Sequence, residues 1–348
     1  MELGSNFELS LNEGIKEQKD NAKKYLDNQY AIYTDSGRSA ICLAGSKLRK
    51  GRILLPAYIC KSVVECFRNQ YEICFYQLNE YLEIDRDSME EQLNESVSVV
   101  YIMHYFGKIQ AAKTLEYLRE KQKLYQFQII EDTTHSFLTQ KNTIGDYQIC
   151  SLRKWFAIPD GGVIYSKTPL KIEKPEEQKA CTAQVTEAML LKYLYINYGT
   201  ECNEIYRTIF VEQEHALDNQ QKLYKISDIS ELLLKCVDIP KTVKRRKENW
   251  NYILEFLDNA GVTPLYRENA DAFVPFSFPV LVEERDRLRK YLMEHKIYCA
   301  VHWPIETQEQ QAIEQNRYFT HHILSLPLDQ RYGLEHMEYM MRIVNEFK

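Results

Sequence analysis

Several features are missing from this 348-residue chain, and each absence excludes a class of protein. No uninterrupted apolar run approaches the roughly 20 residues of a transmembrane helix. The 44 Lys and Arg residues against 50 Asp and Glu residues give a net charge of -6, without the basic excess of nucleic-acid-binding proteins. The nine cysteines show no CxxC or other metal-ligand spacing. We therefore expect no nucleic acid, no membrane and no metal as a partner.

The sequence also indicates a cellular compartment and a number of domains. Residues 1–9 contain neither the basic region nor the apolar stretch of an export signal. An odd number of irregularly spaced cysteines is typical of reduced, mostly buried thiols. We therefore expect a cytoplasmic protein, long enough for two domains or one large α/β unit.

The first half of the chain alternates short apolar segments with helical ones. Apolar runs without strict alternation are typical of strands that are buried on both faces. The alternation of strands and helices predicts βαβ crossovers and a mostly parallel sheet. The predicted strands are 30–34, 52–55, 72–76, 97–103, 127–130, 147–150 and 162–166, and helices are predicted at 39–49, 61–69 and 111–124.

The second half has a different pattern. After a polar stretch at 167–179, long amphipathic helices are predicted up to about Val237, including one at 230–236. We therefore expect a large domain over residues 1–237 and a small C-terminal α+β domain over residues 238–348. The elements predicted for the second domain are helix 243–259, strand 273–282, helix 284–294, strands 297–301 and 323–327, and helix 334–347.

An acidic residue at the end of an apolar strand and a lysine in a later loop are what a pyridoxal phosphate (PLP) site requires. The lysine must form an imine with the cofactor aldehyde, so it has to be partly desolvated and largely deprotonated. A carboxylate must meet the pyridine nitrogen and keep it protonated. Asp132 and Lys154 can take these two roles.

The run DSGRSAI at residues 35–41 joins a predicted strand to a helix. The free N–H groups and the positive dipole end of a helix N-terminus suit a phosphate, and Gly37 permits a tight turn. Ser36 and Ser39 can add hydroxyl donors, and Arg38 can add charge. An ordinary capped helix start explains the same run, and for this segment alone it is the commoner interpretation.

Residues next to the two central ones could complete the site. His135 could reach the phenolic oxygen of PLP or stack on the ring, although a structural histidine is the commoner interpretation of it alone. Ser151 and Arg153 could meet the phosphate or the substrate. Lys154 is predicted to lie in a hairpin before the glycine pair 161–162, where the backbone passes close to another group.

Taken together and in this order, these segments resemble the DegT/StrS group of sugar aminotransferases, which are fold-type-I PLP enzymes. The family's GD…SF…K…GEGG stretch resembles Gly145 to Gly162, with the lysine-to-glycine spacing kept. The other matches are SGTSAL with residues 36–41, VPSFTF with 55–60, VHLYG with 103–107, EDAAHA with 131–136, and C-terminal markers at 285–292, 301–304 and 324–328.

The chain departs from the family pattern at three places. Cys60 stands where the family has an aromatic residue that stacks on PLP, and either Tyr58 or another side chain substitutes for it. The segment between Ser151 and Lys154 is two residues shorter than the family's. The family's NYRMS matches residues 223–227, where Leu223 replaces the asparagine that reaches the partner subunit's site.

The resemblance implies a large domain with a mostly parallel seven-stranded sheet, a small C-terminal α+β domain and a homodimer. It implies an aminotransferase that moves an amino group from an amino acid such as glutamate to a keto sugar, free or nucleotide-linked. The implied catalytic residues are Lys154, Asp132 and His135. The implied cofactor-binding set also contains Ser36, Gly37, Arg38, Ser39, Tyr58, Cys60 and Ser151.

Two groups of apolar residues support a homodimer independently of the resemblance. Trp155, Phe156 and Ile158 would make an unusually apolar surface turn, and residues 190–198 are rich in aromatic side chains. Both groups offer more apolar surface than one subunit easily hides.

Two alternatives for the function remain open. One is another PLP-dependent reaction, such as dehydration, decarboxylation or action on an amino acid, although the dehydratase branch of the family lacks the lysine found here as Lys154. The other is a PLP-free scaffold of the same fold, which the Asp132 and Lys154 pair disfavours. A nucleotide-binding oxidoreductase has no support, because no GxGxxG follows the first strand.

Overall fold

The computed structural model describes residues 2–10, 16–28, 30–139, 143–170, 175–220, 222–304 and 314–348. Its strands are β1 (Leu3–Gly4), β2 (Ala31–Thr34), β3 (Arg52–Pro56), β4 (Glu72–Tyr76), β5 (Val97–Met103), β6 (Gln128–Asp132), β7 (Tyr147–Ser151), β8 (Gly162–Ser166), β9 (Thr263–Pro264), β10 (Phe278–Leu281), β11 (Ile297–Tyr298) and β12 (Ile323–Leu326).

Its helices are α1 (Ala22–Tyr25), α2 (Gly37–Lys47), α3 (Lys61–Arg68), α4 (Arg86–Gln92), α5 (Ala112–Tyr125), α6 (Lys179–Tyr198), α7 (Asn203–Asp218), α8 (Asp228–Cys236), α9 (Ile239–Phe256), α10 (Arg285–Glu294), α11 (Glu314–His322) and α12 (Leu334–Glu346). Short 3₁₀ turns cover Phe137–Thr139 and Leu152–Lys154. Among the described residues, no helix combines the length and the apolar character that crossing a bilayer requires.

Seven strands form a mostly parallel sheet in the order β2-β8-β7-β6-β5-β3-β4. Strand β3 is parallel to β4 and β5, and β5 is parallel to β6. The edge strand β2 is antiparallel to β8. Every residue of β5 is buried, which explains why its sequence shows no alternation of apolar and polar residues. The α/β fold with a mostly parallel seven-stranded sheet is therefore confirmed.

The chain forms two compact units. The first unit consists of Met1–Ser5, Gly45–Gln148 and Val243–Lys348, and the second consists of Asn6–Ala44 and Ile149–Thr242. These units describe packing within the chain. The expected domain boundary between residues 237 and 238 stays a prediction.

The first unit contains β3 to β6 and a C-terminal group of strands and helices. In that group β10 lies between β12 and β9, antiparallel to both, and β1 pairs with β11. Trp250 of α9 is fully buried, with its ring centroid 4.5 Å from that of Phe278 and 5.1 Å from that of Phe273. Aromatic packing of this kind holds α9 against β10.

The second unit contains the β2–β8 pair and the helices α6, α7 and α8. Helices α6 and α7 pack against each other through tyrosines, with the Tyr195 and Tyr206 ring centroids 5.8 Å apart. Lys192 of α6 is fully buried and donates a hydrogen bond to the carbonyl oxygen of Asn6. Its Nζ also lies 3.6 Å from Oε2 of Glu8, so this charge fixes the N-terminal segment on α6.

Strand ends account for most differences from the predicted elements. Strands β4, β5 and β8 have the predicted limits, whereas β10 covers only four of the ten residues predicted at 273–282. Val274 donates its N–H to Thr139 Oγ1, and Phe276 donates to the carbonyl oxygen of Phe106. Pro275 has no N–H to donate. These backbone groups therefore bond to loops of the first unit instead of a neighbouring strand.

The expectation that Trp155, Phe156 and Ile158 offer more apolar surface than one subunit hides is wrong. Their exposed fractions within the single chain are 0 %, 0 % and 4 %. They therefore offer no surface to a second subunit.

Candidate active site

Asp132 is the last residue of β6 and belongs to the first unit. Its side chain accepts two hydrogen bonds: Oδ1 from the N–H of Thr134 at 2.8 Å and Oδ2 from the hydroxyl of Tyr101 at 2.6 Å. Only 3 % of Asp132 is exposed. Burial raises its pKa above the ordinary value, while the two donors oppose that rise.

The neighbouring Glu131 holds the backbone around the end of β6. Its Oε2 accepts hydrogen bonds from the N–H groups of Ile144 (2.8 Å) and Gly145 (2.7 Å). Its Oε1 lies 2.7 Å from Nε2 of His104. Gln110 donates its N–H to Nδ1 of His104, so the proton of the neutral imidazole lies on Nε2 and is donated to Glu131. Successive strand residues point to opposite faces, so Glu131 supports the strand from the face opposite to Asp132.

His135 is fixed by aromatic packing in the first unit. Its ring stacks on Phe276, with centroids 4.1 Å apart and planes 14° apart, and on Trp303 at 5.3 Å and 22°. His302 makes an edge contact at 5.1 Å. Because the imidazole already stacks on two protein rings, its edge is the part that suits a role toward PLP, and the alternative of stacking on the cofactor loses support.

Tyr58 and Cys60 differ sharply in burial. Tyr58 is fully buried among aromatic rings, with Phe319 at 5.3 Å and Trp303 at 5.6 Å between centroids. Cys60 is partly exposed at the start of α3, and its Sγ lies 3.1 Å from Oγ of Ser62. In the described structure Tyr58 is therefore a packing residue, and Cys60 is the accessible one of the two.

The predicted phosphate turn lies at the start of α2 in the second unit. The helix begins at Gly37, two residues earlier than predicted, and Ser36 accepts the N–H of Ser39 at 3.1 Å as its cap. A Cβ atom on Gly37 would lie 2.7 Å from Cβ of Ser151, at the end of β7. The structure thus brings Ser36, Ser39 and Ser151 together around one helix N-terminus.

Two arginines near this turn form ion pairs with one face of α7. Arg38 pairs with Asp218, and Arg153 Nη1 lies 3.0 Å from Oε1 of Glu214. Glu214 and Asp218 are four residues apart and therefore neighbours on the helix surface. The charge of Arg153 lowers the pKa of Glu214 below its ordinary value, and Lys154 and Arg38 add to the effect. These positive charges therefore lie close to one another within the second unit.

Lys154 ends the 3₁₀ turn that follows β7, and its side chain is exposed. The expectation that it is partly desolvated is therefore wrong for the single chain. The apolar residues that follow it in sequence occupy the buried positions of this turn, which leaves the lysine on the solvent side. Any desolvation of Lys154 must come from a bound group or a second subunit.

The model of the DegT/DnrJ/EryC1/StrS aminotransferase family matches residues 9–345. The chain belongs to this family. Because the family is PLP-dependent, its match confirms the predicted aminotransferase class and cofactor. None of the curated proteins matches the sequence.

Solved structures of aminotransferases share the fold of this family member. PseC of Helicobacter pylori, an aminotransferase involved in the biosynthesis of pseudoaminic acid, is 17% identical, with 99% of this chain and 98% of that chain covered and a TM-score of 0.68. DesV of S. venezuelae, in complex with a ketimine intermediate, is 17% identical, with 93% and 86% covered and a TM-score of 0.64. NtdA of Bacillus subtilis, with bound cofactor PMP, is 15% identical, with 92% and 74% covered and a TM-score of 0.63.

Asp160, in the segment that matches the family's GEGG, connects the glycine pair to α8. Its carboxylate accepts hydrogen bonds from the hydroxyls of Ser227 (2.7 Å) and Ser230, and from the N–H of Ser227. Ser227 is the last residue of the segment that matches NYRMS, and it caps α8. In this family member, that segment therefore fixes the glycine pair of its own chain.

Sequence reasoning missed several residues of the site. Tyr101 lies in a predicted strand, and His104 and Glu131 lie in the matched motifs, but the sequence does not show that Tyr101 bonds to Asp132 or that His104 bonds to Glu131. The adjacency of Glu131 and Asp132 in one motif is the signal that the sequence does offer. Among the described residues, no group of His, Cys, Asp or Glu side chains is arranged to hold a metal ion.

Proposed function

We propose that this aminotransferase uses PLP to move an amino group from an amino acid, with glutamate as the donor, to a keto sugar that is linked to a nucleotide. Support comes from the family and from the fold shared with the sugar-pathway enzyme PseC. The carboxylate of Asp132 is the observation that carries the proposal, because a buried anion at the end of a strand needs a cationic partner.

The residues around the end of β6 fit the pyridine end of PLP. A carboxylate offers about four acceptor positions, so Asp132 can accept a pyridinium N–H in addition to the bonds from Tyr101 and Thr134. We assign His135 to the phenolic oxygen, through its ring edge. We assign Cys60 to the side of the ring where the family has an aromatic residue, with Tyr58 packed among aromatic rings nearby in sequence.

The residues around the start of α2 fit the phosphate end of PLP. The first-turn N–H groups of α2 are donors, Gly37 permits close packing against Ser151, and the hydroxyls of Ser36 and Ser39 lie at the same turn. Arg38 adds a positive charge. A dianionic phosphate would replace part of the interaction that this arginine has with Asp218.

We assign the covalent attachment of the cofactor to Nζ of Lys154. When bound, PLP supplies an electron sink that stabilises negative charge on the amino-bearing carbon of the substrate. Once released from the cofactor, the amine of Lys154 would take the proton from that carbon of the substrate and deliver it to the cofactor. Asp132 would hold the proton on the ring nitrogen during both halves of the reaction.

We infer that the working unit is a homodimer. The turn after Lys154 no longer supports this, but helices α6 and α7 do, because they expose Leu190, Tyr198, Ile205 and Val211. Tyr198 is 70% exposed. Sedimentation of the PLP-loaded protein at micromolar concentration should give twice the chain mass, and a fully active monomer would refute the inference.

The function is tested by absorbance and by product analysis. Purified protein mixed with PLP should develop a yellow chromophore, which glutamate should bleach and a nucleotide-linked keto sugar should restore. Borohydride reduction followed by peptide mapping should place the cofactor on the peptide that contains Lys154. Lys154→Ala should lose both the chromophore and the turnover.

Lys167→Ala is the control, because Lys167 is an exposed lysine at the end of β8. It should keep the chromophore and the label on the Lys154 peptide. Label on another lysine would refute the assignment of Lys154. Bleaching by glutamate without restoration by any keto sugar would show that the acceptor belongs to another class.

A further inference from the structure

The hydroxyl of Tyr101 lies 2.6 Å from Oδ2 of Asp132, and both side chains belong to the first unit. Tyr101 is opposite Ile130 in the β5–β6 register, and Met103 is opposite Asp132. The tyrosine therefore reaches diagonally across the pair of strands to the end of β6, a distance that an aromatic side chain can span. The hydrogen bond results from the register of the two strands.

The packing around Tyr101 fixes where its hydroxyl points. Tyr101 has an exposed fraction of 0 %, and Phe67 makes an edge contact with its ring at a centroid distance of 6.0 Å. The hydroxyl of Tyr76 donates to the backbone carbonyl of Tyr101 at 2.8 Å. Since ring and backbone are both held, the donor is positioned before any ligand arrives.

Tyr101 can act only as the donor in this pair. Burial, followed by the negative charge of Asp132, raises the pKa of Tyr101 well above its ordinary value, so the hydroxyl keeps its proton. On the other side, burial raises the pKa of Asp132, while the N–H of Thr134 and the hydroxyl of Tyr101 lower it. The ionisation of Asp132 therefore depends on a small number of donors.

We propose that Tyr101 is a positioning residue that keeps the carboxylate of Asp132 ionised and oriented toward the ring nitrogen of PLP. The proton that lies between Asp132 and PLP then stays on the ring nitrogen. The proposal rests on the proposed function, in which Asp132 meets that nitrogen. Without the hydroxyl of Tyr101 the carboxylate becomes more basic. The proton then leaves the ring N–H and forms an O–H bond on Asp132, which turns an ion pair into a neutral pyridine and a neutral carboxylic acid.

The protonation state of the ring nitrogen tests this proposal directly. Protein loaded with ¹⁵N-labelled PLP should show the signal of a protonated nitrogen in the wild type. In Tyr101→Phe the signal should move toward that of an unprotonated pyridine, and kcat should fall on the order of tenfold to a hundredfold, with little change in the Kd of PLP. Tyr101→Met removes the same donor and serves if the phenylalanine variant does not fold.

Tyr71→Phe is the matched control. Tyr71 is also buried, and its hydroxyl donates to the backbone carbonyl of Gly45 at 2.8 Å, so its removal costs a comparable hydrogen bond without touching Asp132. This variant should keep the wild-type nitrogen signal. Adding Tyr101→Phe to Asp132→Asn should produce no further shift, because the tyrosine acts through the carboxylate.

The failure of this proposal differs from the failure of the proposed function. A wild-type protein that takes up no PLP would refute both. A wild type with a protonated ring nitrogen that Tyr101→Phe leaves protonated would refute the role of Tyr101 and leave the proposed function intact. An equal loss of protonation in Tyr71→Phe would show that the effect is a general consequence of a perturbed core.

Discussion

A Cβ atom on Gly162 would lie 2.2 Å from the carbonyl oxygen of Ser36. Gly162 pairs with Thr34 in the antiparallel β2–β8 ladder, so β8 passes directly against the turn that starts α2. Gly37 is also packed closely against Ser151, because a Cβ atom on it would lie 2.7 Å from Cβ of Ser151. Two glycines therefore allow three chain segments to meet at the candidate phosphate site.

Gly162→Ala is expected to damage this junction. The added methyl group meets backbone atoms, which cannot rotate away, so we expect the free energy of unfolding to fall by roughly 1 to 3 kcal/mol and PLP binding to weaken. Urea denaturation and PLP titration measure the two effects. Gly261→Ala is the control, because its Cβ would meet only Asn259 Oδ1 at 3.4 Å. Equal losses in the two variants would contradict the role of Gly162.

Asp132→Asn is expected to bind PLP and to lose most of its turnover. An amide cannot hold the ring nitrogen protonated, and a charge aimed at a reacting centre contributes on the order of several kcal/mol to the barrier. Steady-state kinetics and absorbance separate the two properties. The exposed Asp271 offers a control in Asp271→Asn, which should behave as wild type. Near-normal activity of Asp132→Asn would assign the carboxylate role to another residue.

Arg153→Gln should weaken PLP binding, with an increase in Kd on the order of tenfold, because a positive charge near the phosphate turn is lost. Fluorescence titration with PLP measures the change. Arg342→Gln removes another arginine that faces a glutamate on a helix, Glu346 at 3.9 Å, and should leave the Kd unchanged. A Kd that is the same in both variants would exclude Arg153 from the phosphate site.

Glu214→Gln should change the Kd of PLP in the opposite direction. The carboxylate of Glu214 neutralises part of the charge of Arg153, so its removal should lower the Kd of PLP. The same titration, repeated at high salt, should reduce the difference between variant and wild type. A clear rise in the Kd at low salt would show that Glu214 orients the arginine instead of competing for it.

We expect Asp329→Asn to change the way in which the free energy of unfolding depends on pH. Burial alone would raise the pKa of Asp329, but the charge and two hydrogen bonds of Arg331 hold it below the ordinary value of 3.8. A carboxyl group with a depressed pKa in the folded state stabilises the fold above its unfolded pKa and loses that effect as the pH falls. The variant should therefore be roughly 3 kcal/mol less stable than wild type at pH 7.

That difference should shrink only below about pH 4, where the carboxyl of Asp329 begins to take up its proton in the unfolded state while the folded state still resists protonation. Urea denaturation at a series of pH values measures it. Asp258→Asn changes an exposed aspartate and should follow the wild type throughout. A stability difference that stays constant below pH 4 would show that the ionisation of Asp329 is not involved.

Much of the fold could be predicted from the sequence, because buried strands are short apolar runs between recognisable turns. Strands β4 and β5 are examples, with limits that match the prediction. The same burial hides side-chain contacts. Every residue of β5 is buried, so its sequence does not distinguish the face that carries Tyr101 from the opposite face.

The partners of the site residues could not be predicted, because they come from distant parts of the chain. Arg38 pairs with Asp218, 180 residues later, and Arg153 pairs with Glu214, 61 residues later. No periodicity relates such positions. The burial of Trp155 could not be predicted for a related reason. An apolar residue next to a lysine is equally compatible with exposure and with burial until the direction of the turn is known.

The segment from Ser151 to Asp160 is held at both ends, by the contact of Ser151 with Gly37 and by the bonds of Asp160 to Ser227 and Ser230. The comparison of motifs also predicts that its lysine-bearing part is two residues shorter than the family pattern. Fixed ends confine a change of length to the segment between them, since neither the helix N-terminus nor α8 has to move. A change of length next to Lys154 can therefore be accommodated without dismantling the turn at the start of α2, and a designer who varies this segment has that freedom.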